Sequence, residues 1–377
     1  MGDTGEQTGS VRVDHEILAR FVSEVLETYD VPSDHADLTA DVLVAADLAG
    51  IDSHGVSRLF YYTHKLAKGL VEPRPAPRIV SEGAGGCVID GDNGLGPVAS
   101  QMAMDWCLAH AADGVGACAT VRRSNHYGIA GYYARQAVQE GMIGISLTNA
   151  TTFVVPTFGR KPMFGTNPIA VAVPAGEERP FILDMATSAA AVGKLQLAMG
   201  AGTEIPPGWA MDSDGVSTTD PVEGFNGGLL PLGSSRLLGS HKGYGLGVMV
   251  DIFCGLLSGA NYGPELPGLV SEFEDVADVG HFFAVLRVDA FRPLAEFAAT
   301  MDEMIRGLKS TPTEAGEDRV YVAGEPELEE EERRRQWGIP LEELVVGSLQ
   351  QIAKSRGLVE RFEQLLASGP GEGGSLP

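Results

Sequence analysis

Asp52-Ser53-His54-Gly55-Val56-Ser57-Arg58-Leu59 places an imidazole and a guanidinium four residues apart. On a helix, side chains so spaced stand one turn apart on a shared face. Together they could grip one small anion. Arg58 would clamp a carboxylate as a fork, and His54 would reach the neighbouring oxygen as acid or base. The same spacing also fits a solvated polar stripe through His54, Arg58, Tyr61, Lys65 and Lys68, opposite an apolar face of Val56, Leu59, Phe60, Ala67 and Leu70.

Further polar groups sit at junctions between elements. Ser124-Asn125-His126-Tyr127-Gly128-Ile129-Ala130-Gly131 reads as a strand running into a helix. Ser124 or Asn125 could cap that helix, and the small residues would leave first-turn amides open to a phosphate. Ser240-His241-Lys242-Gly243-Tyr244-Gly245-Leu246-Gly247 starts a helix with a cation that opposes the helix dipole. That placement makes sense if an anion is shared by the lysine and the backbone amides; glycine-mediated packing with a solvated lysine is the alternative. Asp184 ends the strand Phe181–Leu183 and could orient a histidine or cap the next helix. Gly165-Thr166-Asn167-Pro168 supplies a turn and two hydrogen-bonding side chains.

Alternating helices and strands must position these groups. Periodicity predicts helices over Asp14–Tyr29, His35–Gly50, Ser53–Leu70, Pro97–Ala112, His126–Glu140, Ala189–Met199 and Lys242–Ser258. Strands are expected at Gly86–Asp90, Gly116–Val121, Ile143–Thr148, Ile169–Pro174, Phe181–Leu183 and His281–Val288. Gly202–Leu238 reads as a long excursion with a hairpin turn at Asp214-Gly215, and the charged Glu327–Trp337 and amphipathic Pro340–Leu366 close the chain as helices. The class is α/β. The expected organisation is a flexible leader (1–10), an N-terminal helical segment (11–75), an α/β cofactor and substrate core (76–285), a C-terminal helical segment (286–367) and a flexible tail (368–377).

Composition narrows the function. The chain has 377 residues, 44% of them hydrophobic, with 51 acidic against 27 basic side chains and a formal charge of −24. Its field repels phosphate backbones and anionic lipid, and no Lys/Arg run offsets it, so neither nucleic acid nor membrane is expected as a partner. No apolar run reaches the roughly 18 residues that span a bilayer, and Met1–Asp14 lacks the regions of a signal peptide. Cys87, Cys107, Cys118 and Cys254 show no CxxC spacing and sit in apolar segments, as buried free thiols of a reducing cytoplasm would. No metal site is expected. Gly114-Val115-Gly116-Ala117-Cys118-Ala119 matches a dinucleotide fingerprint, but it follows a helix and opens a strand, the reverse of what a Rossmann turn needs.

In order and spacing, DSHGVSRL (52–59), SNHYGIAGYYA (124–134), GTNPIAVAVP (165–174), DMATS (184–188) and HKGYGLGVMVD (241–251), with DVGHFF (278–283) and GIPL (338–341), resemble the malate/L-lactate dehydrogenase family that is distinct from the Rossmann-fold enzymes. The resemblance runs from about Ala19 to Leu366. It implies a non-Rossmann fold: a largely antiparallel sheet holding NAD or NADP, packed N- and C-terminal helices, and a homodimer. It implies hydride transfer between that cofactor and a small anionic 2-hydroxy or 2-oxo acid, malate- or lactate-like. A reductase of cyclic imino acids and a catalytically silent binding subunit are the alternatives. Ser53 and His54 resemble the catalytic pair and Arg58 the carboxylate ligand; His126 is the other possible acid–base group, with Asp184 a candidate to hold the tautomer. Thr166 matches a substrate contact. His126, Tyr127, Gly128, Ile129, Ala130, Asp184, Met185, Ala186, His241, Lys242 and Gly243 match cofactor contacts. Val322-Ala323-Gly324-Glu325 departs from the family's proline-containing segment.

Overall fold

A computed structural model describes residues 10–112, 114–268 and 271–369. Contacts divide the chain into two compact units, one joining residues up to Gly69 with those from Pro326 onward, the other Leu70–Glu325.

In the smaller unit the chain ends come together as the resemblance implies. Helix His15–Glu27 starts where Asp14 accepts the Glu16 and Ile17 amides, both at 3.0 Å, and buries Leu18, Phe21, Val22, Val25 and Leu26. Phe21 meets Phe362 of helix Val359–Leu366 at 6.0 Å between ring centres. Strand Val11–Val13 pairs antiparallel with Ile339–Leu341, so the late amphipathic stretch opens as a strand before helix Glu343–Arg356. Pro340 is tolerated there because it sits at an edge.

The helix expected from Ser53 is different. Asp52–His54 and Val56–Arg58 are separate 3₁₀ turns, and the α-helix spans only Leu59–Ala67. The tighter turns shift the helix phase. Phe60, expected inside, is exposed, whereas Tyr61 and Lys65, expected on the solvated stripe, are buried, with Lys65 1% exposed.

The larger unit is built on a seven-stranded sheet, in the order Arg78–Gly83, Gly86–Asp90, Gly116–Ser124, Val279–Arg287, Met142–Thr148, Ile169–Val173 and Phe181–Met185. Of these neighbours only Gly86–Asp90 and Gly116–Ser124 run parallel. A doubly wound sheet is excluded, and Gly114 does follow a helix, Gly96–Ala111, and precede a strand. Phe283 and Val285 of the central strand are fully buried, as are Ala103, Met104 and Cys107 of that helix. Residues 202–238 form a small three-stranded sheet with helix Pro221–Gly227, and the hairpin turns at Asp214-Gly215 as expected. Helix Ser240–Asp251 runs on into a π-helical turn, Ile252–Leu256. Among the described residues no helix is long and apolar enough to cross a membrane.

Candidate active site

The predicted site residues fall into two groups, one in each unit. In the smaller unit, Ser53 Oγ lies 2.9 Å from His54 Nδ1, and Arg58 Nε donates to the Ser53 carbonyl at 2.7 Å. Ser53, His54 and Arg58 are therefore joined through Ser53 rather than stacked along one helix. Among the described residues no carboxylate pairs with Arg58, so its two terminal nitrogens remain for a ligand. Burial and the Arg58 guanidinium together hold His54 down to about 3 from the ordinary 6.5. That shift favours the neutral imidazole at neutral pH.

In the larger unit the other motifs converge through hydrogen bonds. His126 precedes the helix instead of opening it: the first helical turn is Ala130–Ala134. Neither Ser124 nor Asn125 caps it. Asp184 does so from across the sheet, its Oδ2 accepting the Gly131 amide at 2.6 Å. Asp184 thus caps a helix 53 residues upstream and not the one that follows it. His126 Nδ1 accepts the Gly128 amide at 3.3 Å. The Thr187 amide donates to the Thr166 carbonyl at 2.8 Å, and Asn167 Nδ2 donates to the Gly247 carbonyl at 2.8 Å. Gly243 packs so closely on Leu232 that a Cβ there would lie 2.4 Å from the Leu232 carbonyl oxygen. GTNP, DMATS and HKGYGLG therefore meet at one end of the sheet, with SNHYGIAG tied to them by Asp184. The segment 322–325 is seated beside them, the Ile182 amide donating to the Ala323 carbonyl at 3.0 Å.

Two contributors have no site role in the sequence reading. His281 is fully buried, its Nε2 2.9 Å from Ser124 Oγ and its Nδ1 2.7 Å from Thr148 Oγ1. Its ring stacks on Tyr127 at 4.5 Å, and the Tyr127 hydroxyl meets Ser146 at 3.1 Å. His281 so fixes both flanks of His126. The signal was DVGHFF, where a histidine interrupts an apolar strand. Arg236 is the second: its Nη1 lies 3.1 Å from His241 Nδ1, although it sits in a loop without a motif.

The malate/L-lactate dehydrogenase family profile matches residues 13–350. The chain belongs to that family. It is similar to malate dehydrogenase of Pyrococcus horikoshii, 44% identical over 92% of this chain and 96% of that one. It is also similar to L-sulfolactate dehydrogenase of Methanocaldococcus jannaschii, 37% identical over 90% of this chain and 95% of that one. The solved structure of malate dehydrogenase from Pyrococcus horikoshii OT3 superposes with a TM-score of 0.87 at 39% identity, covering 95% of this chain and 99% of that one. As a malate/L-lactate dehydrogenase family member the protein is an oxidoreductase of hydroxy acids that uses a nicotinamide cofactor.

The larger unit has a donor set suited to such a cofactor. Gly239, at φ 98°, turns the chain into helix Ser240–Asp251, whose first-turn amides carry the positive end of the helix dipole. His241 and Lys242 are exposed there, and Arg236 stands beside His241. On the flank at Gly245 no heavy atom lies within 4 Å of where a Cβ would be. Three cationic or protonatable groups around open backbone fit a pyrophosphate. In a chain of charge −24 they form a local exception to the acidic surface.

Proposed function

We propose that the protein interconverts a small 2-hydroxy acid carrying a second acid group, of the malate or sulfolactate kind, with its 2-oxo acid. The names of the relatives at 44% and 37% identity support this substrate class. The observation that carries the mechanism is the Ser53–His54–Arg58 arrangement, with Arg58's terminal nitrogens unspent.

A nicotinamide cofactor, NAD or NADP, would supply the hydride chemistry at the carbon next to the carboxylate. His126–Ala130, Asp184–Ala186 and His241–Gly243 would hold that cofactor, and Thr166 would contact the substrate. Arg58 takes the substrate carboxylate as a fork and fixes the angle of the reacting carbon. His54 exchanges the proton with the substrate oxygen. Ser53 engages Nδ1, so that exchange is assigned to Nε2. In the free protein the neutral imidazole is the base that oxidation of a hydroxy acid requires. Reduction requires the protonated form. A carboxylate on Arg58 cancels one of the two causes that hold His54 down, so substrate binding raises its proton affinity.

The four free cysteines support a reducing cytoplasm, since burial pushes the Cys87, Cys107 and Cys254 thiols up and makes them poor nucleophiles. Phe158, Leu237 and Leu238, at 88%, 98% and 76% exposure, are apolar surface that supports a homodimer.

The test is turnover of malate, sulfolactate, lactate and ureidoglycolate with each cofactor, with a cyclic imino acid as the competing substrate. His54→Ala is expected to lose on the order of 10²–10⁴ in kcat. A parent-like kcat in His54→Ala with a collapse in His126→Ala would move the acid–base role to His126.

A further inference from the structure

Asp47 is a carboxylate set in the apolar helix Ser33–Leu48 and is 2% exposed. Its Oδ2 accepts the Val56 amide at 2.8 Å. Its Oδ1 lies directly under Gly55, where a Cβ would stand only 1.8 Å away. The carboxyl group therefore fills the space beneath the junction of the two 3₁₀ turns, with Ser53 and His54 on one side and Arg58 on the other. Only glycine can sit at position 55 while Asp47 stays where it is.

Arg334, 6% exposed on helix Glu325–Trp337, holds the same stretch of chain at its beginning. Its Nη1 donates to the Asp47 carbonyl at 2.6 Å, and the guanidinium also pairs with the carboxylates of Asp52 and Glu330. Glu330 closes the arrangement, with its Cγ 2.9 Å from where a Cβ at Gly50 would lie. The chain from Gly50 to Arg58 is thus fastened at both ends by side chains that touch neither His54 nor Arg58 in any of these contacts.

We propose that Asp47 and Arg334 are positioning residues for the reaction, acting through the backbone of residues 50–58 to set the separation and aim of the His54 imidazole and the Arg58 fork. The proposal rests on the roles given to His54 and Arg58 above. Stability alone does not call for a carboxyl group here. Burial pushes Asp47 well above the ordinary carboxylate range, a cost that an apolar side chain of similar size would avoid. What the carboxyl group adds is a fixed acceptor for one particular amide, and with it a fixed junction between the two turns. Reacting groups displaced by about 1 Å can lose 10²-fold in rate.

The experiment compares Asp47→Asn, Asp47→Ala and Arg334→Lys with the parent, measuring kcat, KM, the thermal midpoint and the His54 ring titration by NMR of histidine-labelled protein without substrate. Asn keeps an acceptor for the Val56 amide and is expected to stay within about threefold of the parent in kcat. Ala leaves that amide unpaired above a void and is expected to lose about 10- to 100-fold in kcat, with His54 titrating closer to its ordinary 6.5. Arg334→Lys keeps the charge but cannot span the Asp47 carbonyl and the Asp52 carboxylate, and is expected to lose about 10-fold. If Asp47→Ala does not fold, Arg334→Lys and Asp47→Asn carry the same comparison. Variants that lower the thermal midpoint but leave kcat, KM and the His54 titration at parent values would overturn the proposal. If the parent turns over no hydroxy acid, the functional reading fails, and the His54 titration still decides the positioning role.

Discussion

Arg58 matters because the fold consumes so little of it. Its Nε is committed to Ser53, and the remaining pair of nitrogens is the planar donor that a carboxylate matches. Arg58→Lys replaces a fork with a point charge. The expected outcome is a rise in KM for the 2-oxo acid of about 10- to 100-fold, with a smaller fall in kcat, measured by steady-state kinetics. An unchanged KM would remove Arg58 from carboxylate binding. Arg58→Met separates grip from tuning: it loses both the fork and the charge that helps hold His54 down. Its His54 titration, followed by NMR, should therefore move up from about 3, although burial still opposes the charged form. Lys at position 58 keeps the charge and should leave that titration nearly unmoved.

Elements were legible in the sequence where a single periodicity governed them. Helix His15–Glu27 and the central strand Val279–Arg287 follow directly from their apolar pattern. Legibility failed where distant side chains determine the backbone. The junction at Gly55 depends on Asp47, and the late start of the helix at Ala130 depends on Asp184, neither of which is local in sequence. Strand Arg78–Gly83 is exposed at every residue and so had no alternation to read. The site motifs themselves were readable because their chemistry is adjacent in the chain, whereas the shells behind them were not. His281 is the clearest example, and its burial makes a prediction about pH. Burial holds it down to about 3 in the folded state against 6.5 when exposed. Between those values the unfolded chain binds a proton that the folded chain does not, so stability falls as pH drops below about 6.5. His281→Gln retains polar partners for Ser124 and Thr148 but does not titrate. The stability advantage of the parent over this variant should shrink by about 2 kcal/mol between pH 8 and pH 5, as read from urea unfolding at each pH. A gap independent of pH would mean that folding leaves the proton affinity of His281 unchanged.

The whole molecule has a formal charge of −24, and several of its arginines are committed to close ion pairs. Arg306 bonds Glu177 at 2.7 Å and Glu178 at 2.9 Å, while Arg333 and Arg335 pair with Glu330 and Glu331 on their own helix. Exposed pairs of this kind contribute roughly 0–1 kcal/mol each. The unpaired excess repels itself over distances that depend on salt: the Debye length is about 30 Å at 0.01 M and about 8 Å at 0.15 M. At low salt the repulsion reaches across much of a compact unit, and the expanded unfolded chain relieves it. Two effects of added salt therefore compete, screening of the favourable pairs at short range and screening of the net repulsion at long range. Because the pairs are short and the excess charge is large, the second should win. The thermal midpoint is expected to rise by a few degrees between about 10 and 300 mM NaCl, with most of the gain below the point where the Debye length falls under about 8 Å. The control is the same titration near pH 4.6, where the net charge approaches zero and the long-range repulsion disappears. There the rise should vanish or reverse, leaving only the loss of the pairs. A midpoint that falls with salt at pH 7 would show instead that the local pairs outweigh the excess charge.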